Sequence, residues 1–198
     1  AHAGATVTAL DFAAEALHLT KLRAETAGLR IDTVVGDAET LPFPDAAFDV
    51  VTCAGSLSYL DLELFLHEIV RVLRLGGAFI FVDSFDHNPI YRLNRFIQYL
   101  MGKRCRSTLL RMPDGYTLER IRGSFPDLEV SYHGVFTFLA PVLQLAGGPR
   151  AARWLDSWDE AMPRWRRFGF KVVGVGHLPL QHTVVPEIVC FGPDHPNN

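Results

Sequence analysis

The 198-residue sequence has few cysteines and no long apolar run. Cys53, Cys105 and Cys190 are widely spaced and odd in number, so they suit neither a disulfide framework nor a zinc knuckle. No stretch approaches the roughly 18 apolar residues of a membrane-spanning helix, and no signal-peptide pattern opens the sequence. We therefore expect a protein of the reducing cytoplasm.

The sequence also lacks an excess of positive charge and any group of residues with the spacing of metal ligands. Its formal net charge is −3, which argues against a general nucleic-acid binder. We expect no metal site. With 48% hydrophobic residues, residues 1–198 suit a single domain around one core. The sequence does not indicate an oligomeric state.

Several short apolar segments end on a polar residue. The alternating run Val7 to Leu10 leads into Asp11, which predicts a buried strand. Ile31 to Val35 predicts a second strand, closed by Gly36 and Asp37. Two strands that both end on an acid would present those acids at one edge of a parallel sheet.

Two further strands and two helices complete the first half. Phe48 to Thr52, followed by Cys53, has no polar alternation, so we expect a parallel strand covered on both faces. Ala78 to Val82 predicts a strand that reaches Asp83. The helices are predicted over Ala13 to Ala27 and Asp61 to Leu73, ending at Gly28 and at the pair Gly76 and Gly77. This alternation is typical of a doubly wound α/β sheet.

Asp11 has two interpretations. Ligands bind at the carboxyl edge of an open α/β sheet, where an acid can accept hydrogen bonds from both hydroxyls of a ribose. Alternatively, Asp11 caps the helix that follows. Periodicity leaves both open, and it does not distinguish a dinucleotide enzyme from other nucleotide binders.

Three motifs in series carry a family resemblance: VTALDF, VVGDAETLPFPDAAFDVVTCAGSLSYL and RVLRLGGAFIFV. Together they resemble class I S-adenosylmethionine-dependent methyltransferases, especially the small-molecule branch with the quinone O-methyltransferases, over roughly Ala3 to Asp83. The resemblance implies a mostly parallel Rossmann-like sheet with an antiparallel closing strand. It also implies S-adenosyl-L-methionine as cofactor and a quinone-like or glycan-linked small-molecule acceptor, with O-methylation favoured. Residues 1–83 would bind the cofactor and residues 84–198 the acceptor.

The resemblance assigns roles to individual residues. Asp11 would hold the ribose diol and Phe12 would pack on the adenine, whose edge Asp37 and the backbone of Ala38 would read. Cys53 would lie beside the methionine part through its carbonyl, although a packing role is equally compatible with a free cysteine. The implied cofactor-binding residues are Asp11, Phe12, Gly36, Asp37, Ala38 and Cys53.

The sequence departs from the family pattern at one important place. It contains no GxGxxG-like loop, and the first strand, which in the family sheet lies between the strands ending at Asp11 and Cys53, is missing. An open gap there would leave backbone groups unpaired. We therefore predict residues before Ala1 in the natural protein, and weak cofactor binding by these 198 residues alone.

The acceptor side is predicted from residues beyond Asp83. Ile90 to Arg106 has an apolar stripe with basic margins, which indicates either a lid over the acceptor or an ordinary helix packed on the sheet. A lid of this kind could meet a phosphorylated or carboxylated substrate, or an anionic membrane surface that carries a prenylated one. Leu128 to Phe138 predicts a strand and Phe170 to Leu178 the closing strand. The candidate substrate-binding residues are Tyr59, which stands where many relatives carry a His, and Tyr91, Arg92 and Arg95.

A hydroxyl acceptor would benefit from a general base. His87, just beyond the fourth strand, is the first candidate and His133 the second, although both also fit structural or surface roles. Two other functions remain: a nicotinamide-dependent oxidoreductase, which shares the ribose-binding acid, and a non-catalytic module that keeps the methyltransferase fold.

Overall fold

The structure is a computed structural model that describes residues 1–86, 89–102, 112–135 and 169–180. Its strands are β1 (Thr8–Asp11), β2 (Asp32–Val35), β3 (Phe48–Ala54), β4 (Leu73–Ser84), β5 (Glu129–His133) and β6 (Lys171–His177). Its helices are α1 (Ala14–Thr26), α2 (Leu62–Val72), α3 (Pro89–Leu100) and α4 (Gly115–Ser124).

Helix α2 shows how local sequence sets an element's start. The Asp61 side chain accepts hydrogen bonds from the backbone N–H groups of Glu63 and Leu64 at 3.1 and 3.2 Å, which satisfies two of the free donors at the helix N-terminus. The helix then buries one apolar face against β4 and α4, as its sequence periodicity predicts. The fully or nearly fully buried apolar residues of this face are Phe65, Leu66, Ile69 and Val72.

The end of α2 corrects the prediction that Gly76 and Gly77 stop the helix. The helix ends at Val72, and β4 begins directly at Leu73. Gly76 has a φ of 77° inside this strand, and a Cβ on Gly77 would lie 2.7 Å from the Arg74 carbonyl oxygen. The glycines therefore permit a close backbone approach early in β4.

The strands form two sheets. In the first, β1 and β2 are parallel, with Asp11 opposite Val35. The second has the order β3, β4, β6, β5, in which β3 is parallel to β4 while β6 runs antiparallel to both β4 and β5. The predicted parallel strands and the antiparallel closing strand are thus confirmed.

Strands β1 and β3 are not partners, so each has one edge without a partner strand in the described ranges. The expectation that β3 is covered on both faces is wrong for those ranges, because Val50 is 50% exposed and Thr52 and Ala54 are also exposed. That a further strand fills this position stays a prediction.

The core of the larger sheet is aromatic. Phe79, Phe81 and Phe125 are fully buried, and the Phe79 ring lies 5.6 Å from Phe81 and 5.4 Å from Phe125 between centroids. A Cβ on Gly174 of β6 would lie 2.2 Å from the Phe81 ring. A glycine is therefore required where this ring crosses the closing strand.

A side-chain cluster holds the segment after β2 against α2. Arg71 donates from Nε and Nη2 to the two carboxylate oxygens of Glu68, at 2.9 and 2.7 Å. The same guanidinium donates to the carbonyl oxygens of Leu41 and Phe43 and to Asp45 Oδ1, at 2.9, 2.7 and 2.9 Å. Glu68 Oε2 also accepts from the Leu41 N–H at 2.7 Å. We call this group the Arg71 clamp.

The Arg71 clamp predicts a specific pH dependence of stability. The hydrogen bonds from Arg71 lower the pKa of Glu68 from about 4.5 to about 2, so the carboxylate stabilises the fold above pH 4.5 and loses this contribution as the pH falls toward 2. Glu68→Gln should lower the melting temperature near neutral pH, and the difference from the unchanged chain should shrink across that window. Circular dichroism during heating measures both.

Asp49→Asn is the matched control, because Asp49 pairs with Arg74 at an exposed position and such pairs contribute little to stability. A Glu68→Gln difference that stays constant from neutral pH to below pH 2 would contradict the role of the carboxylate charge.

Candidate cofactor and acceptor site

The two carboxylate oxygens of Asp11 differ in their surroundings. One carboxylate oxygen, Oδ1, accepts a hydrogen bond from the Ala13 N–H at 2.9 Å and turns the chain into α1. Within the described part of the chain, Oδ2 has no hydrogen-bond partner. The ring of Phe12 is 85% exposed. The turn therefore leaves an acceptor oxygen and an aromatic surface next to each other at the end of β1.

Asp37 lies at the same edge. The Gly36 N–H donates to the Asp11 carbonyl at 3.1 Å, which ties the loop after β2 to the end of β1. Asp37 Oδ1 accepts from the Glu39 N–H at 2.9 Å, and Oδ2 has no partner among the residues described. Ala38 is half-buried and packs against the core. Each of the two acids thus uses one oxygen to shape its loop and presents the other.

This edge fits the nucleoside part of the implied cofactor. A ribose diol supplies two hydroxyl donors, for which the free oxygen of Asp11 is an acceptor. The exposed face of Phe12 suits stacking on a purine, and Asp37 offers an acceptor for an exocyclic amine. That these residues hold the nucleoside stays a prediction.

Cys53 is a packing residue through its side chain. It lies opposite Phe81 in the pairing of β3 with β4. Burial raises the pKa of its thiol to about 11, and the nearby charge of Asp83 acts in the same direction. The thiol is therefore protonated at neutral pH and is a poor nucleophile. Only the backbone of Cys53 is suited to contact a cofactor.

Asp83 is a site residue to which sequence reasoning assigned no role. It is 3% exposed at the carboxyl end of β4, where its Oδ2 accepts from the Leu57 N–H at 2.9 Å and its Oδ1 from the Ser84 N–H at 2.6 Å. Burial raises its pKa, and the charges of Lys171 and Arg95 offset part of that rise. Asp83 thereby fastens the loop after β3 to β4. Its sequence signal was a third strand ending on an acid.

The candidate acceptor residues differ in exposure. Tyr59 is 59% exposed in the loop between β3 and α2. Arg92 is exposed on α3 and forms an ion pair with Asp86, Nε to Oδ1, at 3.2 Å. Arg95 is 4% exposed, so it lies inside the protein. The backbone of Tyr91 belongs to α3, but its side chain is not among the described ones.

The two candidate bases lie apart from the nucleoside edge or outside the description. His87 lies outside the described residues. His133 is the last residue of β5, with Nε2 3.1 Å from Ser131 Oγ. It pairs with Lys171, which pairs with Ser84 of β4. His133 is therefore level with Ser84 at the carboxyl end of β4, but it is separated from that residue by two strand spacings, about 10 Å. Its catalytic role stays a prediction.

The described residues contain neither a candidate metal site nor a candidate membrane span. Within the described ranges, no group of three His, Cys, Asp or Glu side chains could hold a metal ion. None of the helices in those ranges has both the length and the apolar character needed to cross a membrane.

The first part of the chain is similar to known proteins. Residues 1–81 match the family described as a methyltransferase domain. Over 81 residues the chain is 42% identical to a demethylmenaquinone methyltransferase of Thermus thermophilus, covering 40% of this chain and 37% of that protein.

Two further relatives have similar identities. A fatty-acid O-methyltransferase of Mycolicibacterium smegmatis is 42% identical over 81 residues, which are 40% of this chain and 29% of that protein. A phthiotriol/phenolphthiotriol dimycocerosates methyltransferase of Mycobacterium tuberculosis is 45% identical over 87 residues, which are 43% of this chain and 32% of that protein. The chain spans about a third of the length of these relatives.

Solved structures share the fold. A geranyl diphosphate C-methyltransferase of Streptomyces coelicolor, determined with Mg²⁺, geranyl diphosphate and S-adenosyl-L-homocysteine, has a TM-score of 0.58 at 17% identity, covering 88% of this chain and 63% of that one. The cyclase SpnF has a TM-score of 0.56 at 20% identity, with coverages of 89% and 67%. The chain therefore has the Rossmann-like fold expected from its sequence. A cyclase with this fold shows that fold alone does not fix the reaction.

The first prediction for the site concerns Asp11. Asp11→Ala in the natural gene product should weaken binding of S-adenosylhomocysteine by about 1.5–3 kcal/mol, the usual contribution of charge-assisted hydrogen bonds to hydroxyls. Asp11→Asn keeps an oxygen for the Ala13 N–H but loses the charge, so it should separate the effect on ligand binding from the effect on the turn into α1. Calorimetric titration gives the affinities. Asp32→Ala, at the exposed amino end of β2, is the control, and an unchanged affinity in Asp11→Ala would remove Asp11 from the site.

The second concerns the Cys53 thiol. In a Cys105→Ser, Cys190→Ser background, native protein should resist iodoacetamide at neutral pH, because a thiol with a pKa of about 11 holds little thiolate there. The same protein in denaturant should be alkylated rapidly. Mass spectrometry of the intact chain measures both rates, and equal rates in the two states would show that Cys53 is neither buried nor perturbed.

Proposed function

We propose that this chain transfers a methyl group from S-adenosylmethionine to a small-molecule acceptor, with an acceptor oxygen favoured. The observation that carries the proposal is the edge formed by β1 and β2. There Asp11 and Asp37 each present a carboxylate oxygen without a partner in the described residues, beside the exposed ring of Phe12. The methyltransferase family of residues 1–81 supports it.

The bound cofactor supplies an activated methyl group on a good leaving group. The protein's own residues then have to bind and orient the cofactor and the acceptor, and they have to exclude water from the site. Asp11 and Asp37 would hold the nucleoside part of the cofactor through the carboxylate oxygens that have no partner in the described residues. Asp83 positions the loop at Leu57, which carries Tyr59 on the acceptor side. His133 and His87 are the candidate bases for a hydroxyl acceptor.

The proposed acceptor has an oxygen nucleophile on an apolar body, such as a quinone-like or lipid-like molecule. The relatives are named for demethylmenaquinone, fatty acids and phthiotriol dimycocerosates. The exposed Tyr59 offers a surface for such a molecule near the strand ends. The low and scattered cysteine content supports a cytoplasmic location.

The test is transfer of an isotope-labelled methyl group. The natural gene product should move the label from S-adenosylmethionine to a hydroquinone or a fatty acid, and Asp11→Ala should lower kcat/KM chiefly by weakening cofactor binding. Mass spectrometry of the products detects the transfer. Binding of S-adenosylhomocysteine without transfer to any oxygen, nitrogen or carbon acceptor would favour a non-catalytic module instead.

A parallel titration tests the oxidoreductase alternative. The proposal predicts calorimetric heat with S-adenosylhomocysteine and none with NAD. NAD binding that depends on Asp11, in a protein that does not bind S-adenosylhomocysteine, would overturn the proposed function.

A further inference from the structure

Helix α3 presents its apolar side to solvent. Four large apolar residues recur at helical spacing along it, a fifth follows its last residue, and each is about half exposed or more. They are Leu93 (59%), Phe96 (50%), Ile97 (45%), Leu100 (66%) and Met101 (60%). At 3.6 residues per turn they occupy an arc of about 140°. We call this set the α3 stripe.

The opposite side of α3 faces the protein. Arg95 is 4% exposed, and Gln98 and Tyr99 are half-buried. A helix on a globular protein normally buries its apolar side and exposes its polar side, so α3 is inverted. A contiguous apolar patch of this kind marks an interaction surface.

The charge of the sequence that contains the stripe indicates the kind of partner. The whole chain has a net charge of −3, yet residues 87–113 contain no Asp or Glu. Arg92, at the margin of the stripe, has a side chain that is 65% exposed. Besides the buried Arg95, the Lys and Arg residues of this stretch of sequence are Arg92, Lys103, Arg104, Arg106 and Arg111.

We propose that the α3 stripe inserts into the interface of an anionic membrane, with the helix axis parallel to the surface. An apolar face beside a basic sequence is the combination that binds acidic lipid headgroups and the outer part of the acyl layer. A second copy is a poorer occupant, because it would bring two basic stretches together. The inference goes beyond the proposed methyl transfer and does not require it.

The position of α3 gives the contact a use. Helix α3 follows β4 in the chain. The ion pair of Arg92 with Asp86 ties the helix to the loop directly after β4, which ends at Ser84. A membrane-bound α3 would hold the carboxyl edge of β4 close to the lipid surface. An apolar acceptor dissolved in the membrane would then reach the site without crossing water.

Vesicle co-sedimentation tests the inference on the natural gene product. It should bind vesicles of phosphatidylglycerol and phosphatidylcholine, bind phosphatidylcholine alone much more weakly, and lose binding as salt is added. Leu93→Ser with Phe96→Ser should lower partitioning at least about tenfold, given the free energy of burying two large apolar side chains. Leu19→Ser with Leu22→Ser is the matched control, because these α1 residues are 54% and 51% exposed.

Three results would overturn the inference: no difference between anionic and neutral vesicles, an equal loss in the α1 control, or dimers in solution that the α3 substitutions dissociate. Circular dichroism tests whether each variant is folded. If the α3 variant is unfolded, the dependence of vesicle binding by the unchanged protein on lipid charge and on salt still tests the inference. Methyl transfer is not measured here, so failure of this inference and failure of the proposed function are distinct.

Discussion

The hydrogen bonds of Arg71 connect the two parts of the described structure. Strands β1 and β2 have no ladder with the four-stranded sheet, so the segment that follows β2 must be held by other means. Arg71 does this with five donated hydrogen bonds, and Glu68 adds an acceptor for the Leu41 N–H. Because Glu68 is nearly buried, its charge requires such partners to offset desolvation. The loop carrying Asp37 therefore has a fixed position relative to α2.

The three acids at strand ends are distinguished by their surroundings. Asp11 and Asp37 each give one oxygen to a local turn, which leaves the other for a ligand. Asp83 is buried, and both of its oxygens accept backbone N–H groups. The first two are suited to bind and the third to position. Hydrogen-bond partners and burial are what separate these roles. A sequence pattern shows only that each acid follows a strand, so it does not distinguish them.

Much of the fold follows from periodicity and capping residues. The strands leading to Asp11, Asp37 and Asp83 and the helix begun by Asp61 are local patterns, and the structure has them within a few residues. The contacts of Asp83 with Leu57, and of Glu68 with Leu41, span 26 and 27 positions, so no local pattern reveals them. The close approach at Gly77 is hidden in part for the same reason, because a Cβ there would also lie 3.0 Å from the carbonyl oxygen of Asp49 in β3. Helix α4, with its Asp114 and Thr117 capping box, was missed although that signal is local.

The central claim is that the carboxyl edge of β1 and β2 binds an adenosine group. The most direct measurement is a proton–nitrogen correlation spectrum of the isotope-labelled protein during titration with adenosine, which detects weak as well as tight binding. The amide signals of Phe12, Ala13, Ala38 and Glu39 should shift together with one saturation curve, while those of β5 and β6 stay in place. Shifts confined to β5 and β6, or none at the solubility limit of adenosine, would contradict the claim.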